Sequence, residues 1–201
     1  MPRIIVLDCE TTGLPPRPSM YKRFPDPLKK WKEYDSARLV ELAYKVYDDD
    51  QKLVQAMSVL VKSDVDIANA HIHGITNEMA QTFGQRIEIV LTNFLCALHN
   101  VDLVVCHNAE FDVNIILAEM SRASVDTHSV NYLDIEALLS KPTKCTMKWA
   151  CEKLHLQKYP KLVDLYNDLC GSRTSKWSQA HRALDDVDKC AQCYFSMSAS
   201  S

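Results

Sequence analysis

The chain has 201 residues, 47% of them hydrophobic and 24% charged. That length fits one globular domain and excludes an enzyme joined to a polymerase or helicase, and the composition excludes a disordered or fibrous chain. With 23 Lys and Arg against 26 Asp and Glu the formal charge is −3, which excludes an architectural nucleic-acid coat and confines polyanion binding to local basic patches.

Residues 3–8, RIIVLD, form a largely β-branched run ended by a Thr-Thr-Gly turn, the pattern of a strand buried on both faces at the centre of a sheet. Residues 15–35 hold five of the eight prolines, six basic residues (Arg17, Lys22, Arg23, Lys29, Lys30, Lys32) and four aromatics (Tyr21, Phe24, Trp31, Tyr34). Neither helix nor strand tolerates that mixture, so a long Pro-rich basic loop is expected at about 15–36. Basic groups interleaved with aromatics suit single-strand binding, and loop decoration or a protein contact fits equally. Residues 37–47 and 52–61 read as two strands around a polar turn at 48–51. Apolar residues at Ile87, Val90, Leu91, Phe94, Leu95 and Leu98 predict a helix over 86–99, and 102–106 returns to strand. A helix over 109–120, a short strand near 129–133 and helices at 147–154, 161–169 and 183–195 complete a mixed α/β chain with five strands.

Three segments carry acids. Asp8 and Glu10 stand two apart on the first strand, so both carboxylates face one side and Cys9 the other. Alone, the pair is what the solvated end of any strand shows. Cys106 to Asp112 (CHNAEFD) falls where a strand gives way to a helix, with Asn108 placed to cap it and Asp112 near the positive end of its dipole, held ionised; ordinary capping chemistry looks the same. His181 and Asp186 in HRALDD would sit about 140° apart on one helix, so they converge only if His181 lies just ahead of it. Four carboxylates from three elements, with one imidazole beside the last, supply oxygen ligands for two Mg²⁺ or Mn²⁺ ions and a base for water.

LDCETTGLP (7–15), HNAEFD (107–112) and HRALDD (181–186), with HGIT (73–76), resemble in order the motifs of the DEDDh, or DnaQ-like, exonucleases. The resemblance spans nearly the whole chain and implies a single exonuclease domain over 1–201. It implies a ribonuclease H-like α/β fold: a mixed five-stranded sheet with helices on both faces. The implied activity is metal-dependent 3′–5′ hydrolysis from the 3′ end of single-stranded or frayed DNA or RNA, releasing nucleoside 5′-monophosphates. Asp8 would bridge two cations, Glu10 and Asp186 would complete the shell of the first cation, Asp112 would support the second cation, largely through water, and His181 would deprotonate the attacking water. Thr11, Thr12 and Leu14 would meet the terminal nucleotide, Leu14 as a wedge, with His73 and Phe111 lining its pocket. The tyrosine-bearing branch puts Tyr where Arg182 stands, and the family's His-to-Asp interval selects Asp186 over Asp185.

Arg173, Lys176, Trp177 and Arg182 offer a second edge for steering a backbone, or a polar loop with one packed Trp. Cys190 and Cys193 read as core thiols, since no second pair at zinc-finger spacing accompanies them. Two other function classes stay open: a proofreading subunit active only beside a polymerase or replication partner, and a non-catalytic binding module on the same fold. The resemblance also leaves a homodimer open. No apolar run approaches the roughly 18 residues that span a bilayer, and the N-terminus lacks the apolar stretch of a signal peptide. With eight scattered cysteines read as reduced thiols, the expected location is intracellular, cytoplasm or nucleus, with no membrane partner.

Overall fold

The computed structural model describes residues 2–16, 23–171 and 182–199. Its elements are β1 (Ile4–Thr11), β2 (Leu39–Tyr47), β3 (Leu53–Leu60), α1 (Ala70–His73), α2 (Asn77–Phe83), α3 (Ile87–Leu98), β4 (Leu103–Cys106), α4 (Ala109–Asp126), α5 (Tyr132–Leu139), β5 (Thr143–Cys145), α6 (Thr146–Lys153), α7 (Leu162–Cys170) and α8 (Ala183–Ala199). The sheet order is β3-β2-β1-β4-β5. β2 is antiparallel to both β1 and β3, whereas β4 runs parallel to β1 and β5 parallel to β4. The β-branched first run is therefore the central strand, as its composition requires.

The two-residue alternation of β1 divides the core. Ile5, Leu7 and Cys9 pack with Phe94, Leu98, Ile115 and Ile116 of α3 and α4, while Ile4 and Val6 pack with Ala183, Val187, Cys190 and Ala191 of α8. Asp8 and Glu10 continue the Ile4–Val6 register, so the strand aims both acids toward the α8 side. Cys190 and Cys193 are buried core thiols. Among the described residues, no helix is long and apolar enough to cross a membrane.

Three expectations are corrected. The fifth strand is Thr143–Cys145, not 129–133. Asn131 instead starts α5 through a capping box, its side chain accepting from the Asp134 N–H while Asp134 accepts from the Asn131 N–H. β5 is three residues of Thr-Lys-Cys, too short and polar to show a period of two; pairing with β4 makes it a strand. The 15–36 segment is not irregular throughout, because Trp31–Tyr34 close a 3₁₀ turn. Nor are its described aromatics free to stack on bases. Tyr34 is 1% exposed, Phe24 and Trp31 pack on the core, and the Arg122 guanidinium lies 4.8 Å from the Trp31 ring centroid. Asn108 does not cap α4 through its side chain; it takes a left-handed conformation (φ 68°), and its carbonyl accepts from the Phe111 N–H at 2.9 Å. Asn tolerates that backbone, which turns the chain from β4 straight into α4.

Candidate active site

β1, α4 and α8 bring four carboxylates to one cleft. Oxygen atoms of Asp8, Glu10 and Asp186 all lie within 4.8 Å of one another. Asp112, only 2% exposed, reaches over from the first turn of α4 and accepts from the Cys9 N–H at 3.1 Å. Asp8, Glu10, Asp112, Asp186, Phe111, His107 and Ile72 line a cleft of about 200 Å³. A larger groove of about 380 Å³ lies between α4 and α6 and contains none of these acids; the chemistry identifies the smaller one.

The cluster is electrostatically unfavourable by itself. Burial and then the neighbouring Asp112, Asp186 and Glu10 push the Asp8 carboxyl well up. Burial, Asp186, Glu41 and Asp112 push Glu10 up to about 8. Asp112 is also raised, burial outweighing the lowering effect of the Cys9 N–H and of the helix terminus that its position in α4 provides. A divalent cation supplies what these oxygens lack, so the donor set fits an oxygen-seeking metal such as Mg²⁺ or Mn²⁺. Lys189 donates to Asp186 at 2.6 Å, the site's own cation on one of these acids.

The sign of the pH dependence follows. Between about 4.5 and about 8 the folded state keeps a Glu10 proton that the unfolded chain has released. Its contribution to stability is complete below about pH 4.5 and is lost as pH rises through about 8. In EDTA the melting temperature should therefore fall from pH 5 to pH 9, and Mn²⁺ should flatten the decline by binding the ionised acids of the folded state. A flat profile in EDTA would show that the acids do not repel one another.

Glu41 explains how α8 is placed. It stands opposite Glu10 in the β1–β2 ladder and is fully buried. Arg182 donates to it from Nε (3.1 Å) and Nη2 (2.8 Å), Ser58 from its hydroxyl (2.8 Å) and Ala183 from its backbone N–H (3.3 Å). Against the desolvation cost of burial, these donors hold the Glu41 carboxyl below its ordinary range. The Arg182 carbonyl in turn accepts from the N–H of Asp186 at 3.1 Å. Arg182 is thus committed to fixing the start of α8 rather than free to steer a strand. Arg182→Ala should cost about 3 kcal/mol in urea denaturation, because it strands a buried carboxylate. Pairing it with Glu41→Gln should recover most of that loss; a single variant at wild-type stability would contradict the role.

The expected nucleotide contacts are distributed unevenly. Leu14 is 75% exposed, and Phe111 lines the cleft. Thr11 and Thr12 are buried, their hydroxyls donating to the carbonyls of Gly13 (2.6 Å) and Ser36 (3.3 Å). A Cβ on Gly13 would stand 2.6 Å from the Ser36 carbonyl oxygen, so only glycine lets this turn pack. His73 is buried too: Nδ1 accepts from the Ile75 N–H at 3.1 Å, and Asn69, 3.4 Å from its Nε2, donates to the Thr11 carbonyl. In HGIT, Gly74 ends α1 at φ 74° and Thr76 caps α2. Asp185 is exposed, as expected of a solvated neighbour. His181, Arg173, Lys176 and Trp177 lie outside the described residues. Sequence reasoning missed Ile72 and His107 as cleft residues. His107 opens the second motif, a signal that was available; Ile72, between two histidines, carried none.

Residues 5–194 match the RNase_T family, described as exonuclease. No curated protein matches the chain significantly. Among solved structures, Exonuclease X in complex with 5′ overhanging duplex DNA superposes with a TM-score of 0.64 at 24% identity, over 98% of this chain and 92% of that one. Exonuclease I (apo) gives 0.61 at 14% identity, over 98% and 42%. E. coli Exonuclease I in complex with a dA16 oligonucleotide gives 0.57 at 14%, over 95% and 39%. This chain thus spans less than half the length of Exonuclease I, and at these identities the likeness establishes the fold. With the family match covering nearly the whole chain and an acid cleft at the end of its central strand, the chain belongs to the RNase_T exonuclease family.

Proposed function

We propose that this chain is a single DEDDh-type exonuclease domain over residues 1–201, removing nucleoside 5′-monophosphates from the 3′ end of single-stranded or frayed nucleic acid. The observation that carries the reading is the meeting of Asp8, Glu10 and Asp186 within 4.8 Å, with buried Asp112 beside them. These four residues would hold two divalent cations. When bound, the cations lower the pKa of the attacking water and neutralise charge on the scissile phosphate. His181 would take the proton from that water; its ordinary pKa near 6.5 suits a base at neutral pH, and the assignment rests on the third motif. Leu14 and Phe111 would seat the terminal nucleotide, with Thr11, Thr12 and His73 building the turn that presents them.

The complexes of Exonuclease X with overhanging duplex DNA and of Exonuclease I with an oligonucleotide support a nucleic-acid substrate with an accessible single strand. The test is a time course on 5′-labelled single-stranded DNA and RNA of one sequence, with Mn²⁺ and with EDTA. A metal-dependent ladder shortening from the 3′ end is expected, and the faster strand identifies the preferred sugar. Cleavage of neither strand would overturn autonomous activity and favour a polymerase-dependent proofreader or a binding module.

A further inference from the structure

The segment between α6 and α7 is tied to the wall of the acid cleft. The Pro160 carbonyl lies 3.1 Å from His107 Nε2, and Thr146 Oγ1 lies 3.0 Å from His107 Nδ1. A carbonyl only accepts, so Nε2 carries the proton, and Nδ1 faces the Thr146 hydroxyl, which also donates to the Cys106 carbonyl at 3.3 Å. Burial, opposed by the Pro160 bond and by Asp186, holds this imidazole in its neutral form, which matches that assignment. Cys151 pins the other end of the segment, its carbonyl accepting from the Leu156 N–H at 3.1 Å and its Sγ donating to the Lys158 carbonyl at 3.1 Å. The backbone from 156 to 160 is therefore fixed before any ligand arrives.

Its side chains are not. Lys158, Tyr159 and Lys161 are exposed, Tyr159 at 62%. None of the three makes a side-chain hydrogen bond, ion pair or ring contact among the described residues. No acid lies between Glu152 and Asp164, so the segment is locally basic in a chain of net negative charge. Two free cations and one free aromatic on a pre-ordered backbone are the means by which single strands are held, phosphates by charge and bases by stacking. The described part of the 15–36 loop offers no such surface, because Phe24, Trp31 and Tyr34 face the core.

We propose that Lys158, Tyr159 and Lys161 form the track along which a nucleic-acid strand enters the acid cleft, the lysines pairing with phosphates and Tyr159 stacking on a base upstream of the terminal nucleotide. The inference rests on the exonuclease reading for which end of the strand lies in the cleft. Binding of a 5′-labelled 12-nucleotide oligothymidylate, followed by anisotropy in EDTA across a salt series, tests it. The Lys158→Met/Lys161→Met pair should weaken binding at least about tenfold at low salt, and the slope of log affinity against log salt should become shallower by about 1.4, two contacts at roughly 0.7 each. Tyr159→Leu should weaken binding about tenfold, while Tyr159→Phe, which keeps the ring, should retain it. In the Mn²⁺ assay the lysine pair should raise KM for the 12-mer by a similar factor, with kcat changed far less. Wild-type cleavage with an unchanged salt slope in the lysine variant would overturn this inference alone. Failure of the wild type to bind or cleave the strand would overturn the exonuclease reading beneath it.

Discussion

Asp8→Asn should lower exonuclease turnover by about 1,000-fold or more while leaving the chain folded. The side chain lies at the floor of the cleft with its oxygens within reach of both Glu10 and Asp186. Removing its charge takes away the donor shared by the whole cluster, and charge stabilisation by a bound metal contributes several kcal/mol, each 1.36 kcal/mol being tenfold in rate. The same change relieves repulsion, since burial and four neighbouring acids oppose ionisation of Asp8. The variant should accordingly melt no lower than wild type in EDTA, and at higher temperature where the acids ionise. In Mn²⁺ the order should reverse, because the wild type alone gains from binding metal in the folded state. Full, metal-independent activity of Asp8→Asn would remove this cleft from the chemistry.

His181→Ala should lose about 100- to 10,000-fold in kcat, the range of a positioned general base, with KM for the strand and the half-saturating Mn²⁺ concentration nearly unchanged. The contrast with Asp8→Asn is the informative part: one variant keeps metal binding and loses rate, the other loses both. Equal losses in kcat and in strand binding for His181→Ala would identify a substrate contact rather than a base. Arg182 makes a useful third point. Its side chain is bound to Glu41 and its carbonyl to the Asp186 N–H, so its loss should move stability and metal binding together.

Several features of this site were legible in the chain before any fold was known. The alternation of a strand requires Asp8 and Glu10 to share a face, and the β-branched run that carries them requires burial on both sides. Both are observed, with β1 central and its even-numbered residues turned toward α8. The strong amphipathic period at 86–99 produced α3 within a residue at each end. The fifth strand is not legible in the sequence because the three residues Thr143-Lys144-Cys145 are too few to carry a period, whereas the Asn131–Asp134 capping box marks a helix start just after the apolar Val130. The two readings of the basic aromatic loop stay equal in the sequence because composition does not reveal whether a ring faces solvent or a core, and Phe24, Trp31 and Tyr34 face the core.

What the sequence alone determined is local and chemical: which residues can ligate, which face of β1 they occupy, and the order of the motifs that identify the family. What only the tertiary structure decided is convergence and commitment. The approach of Asp186 to Asp8 and Glu10 depends on a parallel crossover and on a helix held by Glu41, a strand residue 141 positions before Arg182. The same long-range packing assigns Arg182 to that clamp, buries Thr11, Thr12 and His73 behind the turn they shape, and leaves Lys158, Tyr159 and Lys161 exposed around Pro160, whose carbonyl meets His107 of the cleft wall. The physical reason is that charge pairing and burial depend on distances in space, and residues far apart in the chain acquire those distances only when the sheet and its helices pack.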